Sequence, residues 1–150
     1  MPINPYEDFK CDVPNLSTSV YFVVNDQFYN DQLSKAQLND GIVVDSFSNA
    51  IKTYGEIITN HYAKLADTAK DALTAFNTML AQDGLFVYVP KGVKSDRTIQ
   101  VINILRSDVD LMLNRRILIV LEEGAELSML FCDDSADDRK FLATQVIEAY

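Results

Sequence analysis

The residues that could do chemistry in this chain are few and scattered. His61 is the only histidine, and Cys11 and Cys132 are the only cysteines, in 150 residues. Zinc and iron–sulfur sites take three or four Cys or His ligands. Three such residues without C-x-x-C spacing do not make that set. His61 falls on an apolar stripe, which marks a core or boundary histidine, and a lone general base here has no identifiable partner. Cys132 abuts Asp133-Asp134 and Cys11 lies in the N-terminal segment, so both read as ordinary thiols. Asp133, Asp134, Asp137 and Asp138 lack the glycine and closing glutamate of a calcium loop and read as a solvated acidic loop. Lys91, Lys94 and Arg97 form a small basic cluster that could meet an acidic partner, but three charges in an exposed turn usually serve solubility alone. No phosphate-cradling glycine loop and no G-x-S-x-G elbow is present. The sequence therefore offers no catalytic, cofactor-binding or metal-binding residue, and no enzyme is expected.

Composition sets the class. The net charge is −9 with 48% apolar and 23% charged residues, and the pI is near 4.4. That balance is globular rather than disordered. An acidic surface disfavours nucleic acid and anionic membranes as partners, because both are polyanions. No apolar run approaches the roughly 20 residues that cross a bilayer. The opening Met1-Pro2-Ile3-Asn4-Pro5 has no basic region followed by an apolar stretch, so no signal peptide is expected. Two distant cysteines fit a reducing, cytoplasmic setting.

Two regions are expected, 1–83 and 84–150, because the texture changes at Gly84. Residues 20–24 and 27–29 are β-branched and aromatic, and Asn25-Asp26 between them suits a hairpin turn. Asn39-Asp40-Gly41 marks a turn and 42–44 a short strand. Three helices follow by spacing. Phe47, Ala50, Ile51 and Tyr54 repeat at helical intervals after an Asp45-Ser46 cap, with Gly55 placed to stop them. Ile58, His61, Tyr62 and Leu65 make a second stripe. Ala69, Ala72, Leu73, Phe76, Met79 and Leu80 make a third, with Thr68 as cap and Gly84 beyond. Opposite that third stripe stand Lys70, Asp71, Thr74, Asn77 and Thr78, the face expected to meet solvent. After Gly84 the period falls to two, with strands at 85–89, 99–105, 116–121, 126–131 and 141–150. Pro90 stops the first of these. Such a series suits a sandwich, a barrel or the coils of a β-helix. The last strand reaches Tyr150 without cap or turn, so a truncated chain is expected, self-associating through its open β edge.

The order of certain stretches adds a resemblance. Val23-Val24-Asn25-Asp26-Gln27-Phe28, Leu33-Ser34 and Gly41-Ile42-Val43-Val44-Asp45-Ser46-Phe47 resemble the opening of the SufB/SufD family of iron–sulfur cluster assembly proteins. Phe76-Asn77-Thr78-Met79-Leu80-Ala81-Gln82-Asp83-Gly84 and Leu85-Phe86-Val87-Tyr88-Val89-Pro90-Lys91-Gly92-Val93 are similar to its next stretches. Asn114-Arg115-Arg116 and Glu122-Glu123-Gly124-Ala125-Glu126-Leu127 resemble a later one, and Thr98-Ile99 departs from the family's Pro-Ile. The resemblance implies an N-terminal α/β segment leading into a right-handed parallel β-helix. With the spacing above, the expected fold class is α+β: hairpin and three helices, then the first coils of that β-helix. It also implies that the chain is only the opening part of a non-catalytic scaffold. The partners it implies are a SufB-like paralogue and a SufC-like ATPase, and the iron–sulfur cluster would be handled by the intact complex, with no cofactor in this stretch. No site residue carries over. The competing expectation is an unrelated cupin-like or β-helical ligand-binding module.

Overall fold

A tight turn sets the first strand pair. The computed structural model describes residues 17–29 and 41–150. In it Thr18–Val24 (β1) folds back antiparallel on Gln27–Tyr29 (β2), with Val24 opposite Gln27. Asn25 takes φ +59, which asparagine tolerates better than bulkier residues. Its side chain also bonds the backbone of Arg106 in both directions, Nδ2 to O at 2.9 Å and Oδ1 from N at 2.9 Å. The hairpin expected from sequence therefore forms, and its turn is tied to a strand eighty residues away. Cys11, Leu33-Ser34 and Asn39-Asp40 lie outside the described residues.

Val43–Ser46 (β3) leads into helix Phe47–His61 (α1), and Ala72–Leu80 (α2) follows. Then come Gly84–Val89 (β4), Thr98–Leu105 (β5), Leu111–Leu121 (β6), Met129–Ser135 (β7) and Phe141–Ala149 (β8). From β5 onward each strand joins the sheet its predecessor did not, giving orders β2-β1-β5-β7 and β3-β4-β6-β8. Each sheet is mixed: β1–β2 and β3–β4 are antiparallel, and β1–β5, β5–β7, β4–β6 and β6–β8 are parallel. Between the sheets lies an apolar core of Tyr21, Val23, Leu85, Val87, Val89, Ile99, Val101, Ile117 and Ile119. Alternate residues of β4 and β6, namely Phe86, Leu118 and Val120, face outward and pack with Ala50 and Ile58 of α1.

One stacked pair of turns shows how successive strands keep register. Val93 donates to the Pro90 carbonyl and Ala125 to the Glu122 carbonyl, while Gly92 N–H reaches Glu123 O at 3.0 Å. Gly92 and Gly124 both have φ near +70, at +71 and +74, a region closed to most side chains. Lys91–Glu123 and Lys94–Glu126 ion pairs join the same two turns. Glu126 is thereby committed to a bridge with Lys94, and β7 starts at Met129 rather than at 126.

Beyond the hairpin, the expected three helices and right-handed parallel β-helix coils are corrected to two helices and eight strands in two mixed sheets among the described residues. Gly55 does not end a helix. The two stripes it was expected to separate merge into α1, and the break between them is absorbed at Tyr54, whose φ −113 and ψ 22 kink the helix. A mid-helix glycine costs only about 1 kcal/mol, less than burial of Ala50 and Ile58 returns. The third expected helix starts late because Asp71, not Thr68, caps it, accepting from Leu73 and Thr74 N–H.

Its facing is also reversed. Asn77 is buried, whereas Leu73 and Met79 are 68% and 73% exposed. The outer face of β6 and β8 under α2 is itself polar, carrying Asn114, Arg116, Thr144 and Glu148. Asn77 and Thr78 answer it with hydrogen bonds that leucine or methionine could not make.

Candidate functional site

The residues singled out in the sequence are spent on structure. His61 ends α1, with Nδ1 2.7 Å from the Ile57 carbonyl and its ring edge-on to Tyr150 at 4.6 Å. Tyr150 in turn donates its hydroxyl to the His61 carbonyl at 2.7 Å. Cys132 packs against Phe22, Ile102 and Ile104 on the outer face of the first sheet, where its Sγ accepts from Gln100 Nε2 at 3.6 Å. Asp133 pairs with Arg115 at 3.0 Å. Asp137 accepts from the backbone N–H of Ser107 and Arg139, and Asp134 from that of Ser135. Lys91 and Lys94 hold Glu123 and Glu126, while Arg97 donates to the Thr18 carbonyl at 2.8 Å. Among the described residues no group of three or more His, Cys, Asp or Glu could hold a metal ion. No helix among them is long and apolar enough to cross a membrane.

The most heavily built polar site is one that sequence reasoning passed over. Arg116 on β6 and Glu148 on β8 project from the same outer face and meet at 2.6 Å. Both are buried beneath α2 and the loop joining the helices. Each Glu148 oxygen accepts two bonds: Oε2 from Arg116 and Ala63 N–H, Oε1 from Leu65 and Ala66 N–H, all between 2.6 and 3.0 Å. Arg116 also donates to Thr78 at 2.7 Å, and its guanidinium lies 4.8 Å over the Tyr62 ring. Burial opposes the charge on Glu148, but the N–H groups of Ala66, Ala63 and Leu65 together with Arg116 outweigh it and hold the carboxyl below its usual value. Ala63, at φ +58, turns the loop so that these N–H groups converge.

A second set of bonds lies one step along the same face. Asn77 Nδ2 donates to the Arg115 carbonyl at 3.0 Å and to Thr144 at 2.9 Å, and Thr144 donates to Asn114 at 2.7 Å. Together the two sets dock α2 and the 62–71 loop on strands β6 and β8. Chemically this is a joint: a carboxylate with four bonds and a buried guanidinium have no geometry for attacking or protonating a substrate. The sequence did carry a signal for it. Arg115-Arg116 interrupts an apolar strand, as Glu148 does in the last one, and charges buried in such runs are found paired.

Comparison with known proteins gives a consistent picture. The family described as SufBD protein N-terminal region matches residues 1–101. An iron–sulfur cluster assembly SufBD family protein of Synechocystis is 31% identical over 111 residues, 73% of this chain and 23% of that one. The iron–sulfur cluster assembly protein SufB of Bacillus subtilis is 32% identical over 85 residues, 57% of this chain and 18% of its own length. An Arabidopsis thaliana SufBD family protein is 27% identical over 111 residues, 73% of this chain and 24% of that one. The matched stretches span about a quarter or less of these relatives.

Proposed function

The chain belongs to the SufBD family of iron–sulfur cluster assembly proteins, and from that premise we propose that it is the N-terminal part of a SufD-like subunit. In this reading it is a non-catalytic, cytoplasmic scaffold component of a SufBCD-type complex. The observation that carries the reading is the family match over residues 1–101, which takes in β1 to β4 and the start of β5. The Arg116–Glu148 joint supports the scaffold role, because among the described residues this buried polar chemistry is given to fixing helices on strands. The SufD-like assignment rests on stretches 23–28, 41–47, 85–93 and 114–127. An iron–sulfur cluster is the cargo of the intact complex, and no resident cofactor is assigned to this stretch.

The proposed partners are a SufB-like paralogue and a SufC-like ATPase. Self-association is a further proposed contact. β7 and β8 are the outer strands of their sheets, and β8 exposes Leu142 and Ile147, a combination that favours edge-to-edge pairing. Light scattering of the 150-residue chain tests it: mass rises with concentration if the edges pair and stays monomeric if they do not. The functional reading is tested by deleting the gene for the parent protein and assaying iron–sulfur enzymes. Loss of their activity with normal polypeptide levels is expected, and undisturbed cluster assembly would refute the proposal.

A further inference from the structure

The core between the two sheets changes character at one end. On β5 the inward-facing series runs Ile99, Val101, then Asn103. On β6 it runs Ile119, Ile117, then Arg115. Asn103 is 0% exposed, and neither its Nδ2 nor its Oδ1 has a hydrogen-bond partner among the described residues. Arg115, also buried, crosses from the second sheet to the first. Its Nε donates to the Asn25 carbonyl at 2.7 Å and its Nη1 to Asp133 at 3.0 Å. Its Nη2 is buried without a partner. Asp133 is the register partner of Asn103 on the next strand, so the guanidinium that reaches Asp133 lies alongside the orphaned amide.

A buried amide with both ends unsatisfied is expensive, roughly 1–3 kcal/mol for each group. Buried polar groups in native proteins nearly always find partners in protein or ordered water. We propose that the Asn103–Arg115 end of the core is a built hydration site, holding at least one long-lived water that bridges Asn103 to Arg115 Nη2. The unmet groups define the ligand class. Asn103 Nδ2 and Arg115 Nη2 need an acceptor, and Asn103 Oδ1 needs a donor. Water, with two protons and two lone pairs, serves all three. A simple anion has no proton for Asn103 Oδ1, and the carboxylates of Asp133 and Asp26 already act on the Arg115 charge, so an anion meets repulsion there.

The test is magnetisation transfer from water to the Asn103 side-chain amide protons, by heteronuclear NMR on the 150-residue chain. A cross-relaxation signal of a tightly held water is expected. Its absence on protected amide protons would overturn the proposal. Thermal unfolding of Asn103→Leu gives a second arm. A dry, orphaned amide gains from an apolar replacement of similar shape, so its Tm rises and the proposal fails. A hydrated one loses the bridge to Arg115, and Tm falls by roughly 2–4 °C. Inorganic phosphate titrated into the wild type should leave the Asn103 amide resonances unmoved; saturable shifts there would make the site an anion site and refute water as its ligand.

Discussion

The carboxylate of Glu148 meets the guanidinium of Arg116 at 2.6 Å, with both side chains 1% exposed. Buried ion pairs are worth little against a well-packed apolar replacement, but breaking one strands a charge at a cost of about 3–5 kcal/mol. Arg116→Met should therefore destabilise the chain by about that amount in urea unfolding. The usual remedy of making both partners apolar should not work here. Arg116→Met with Glu148→Leu still orphans the N–H groups of Ala63, Leu65 and Ala66. A double variant as stable as wild type would show that Glu148 serves only the ion pair.

The same carboxylate makes stability depend on pH in a definite direction. Its folded-state affinity for protons is lowered, against burial, by the N–H groups of Ala66, Ala63 and Leu65 and by Arg116. A group depressed in this way stabilises the fold above its unfolded value and loses that contribution as pH falls through the folded value. The Tm difference between wild type and Glu148→Gln should be full at pH 7 and shrink below about pH 4, the ordinary glutamate range. A gap of constant size from pH 7 to 3 would contradict this.

Helix α2 offers a test of facing. Asn77→Leu should cost about 1–3 kcal/mol, because the Arg115 carbonyl and Thr144 lose their donor inside the protein. Met79→Gln, at an exposed position that a helical wheel would assign to the core, should stay within about 0.5 kcal/mol of wild type. Chemical denaturation of the two variants checks both; the opposite ranking would turn the helix over.

Gly84 marks where β4 lies tight against β6. A Cβ there would overlap the backbone oxygen of Arg116 and come within 2.8 Å of the Phe47 ring. Backbone cannot step aside as a flexible side chain does, so Gly84→Ala should lower stability by more than about 4 kcal/mol or abolish folding. Circular dichroism with thermal unfolding decides it, and a near-neutral change would mean the strands can separate there.

What the sequence disclosed follows from which forces are local. The hairpin was legible because Asn25-Asp26 carries its own turn chemistry, and the β4 strand because Gly84 and Pro90 punctuate it. The end of α1 was misjudged because Gly55 is a weak local penalty that packing of Ile58 overrides. The orientation of α2 was hidden because it depends on what lies beneath it. Leu73, Phe76 and Met79 imply an apolar seat, and only the tertiary structure shows that Arg116, Asn114, Thr144 and Glu148 supply a polar one. The joint itself pairs Glu148 with loop residues more than eighty positions away, a distance that no local pattern encodes.

The scaffold reading meets its most direct test in affinity purification of the tagged intact parent protein, with the mass of the recovered assembly measured under native conditions. The account predicts a stable complex containing a SufB-like chain and a SufC-like ATPase in fixed proportion. Recovery of the parent alone, from cells that express both partners, would contradict it.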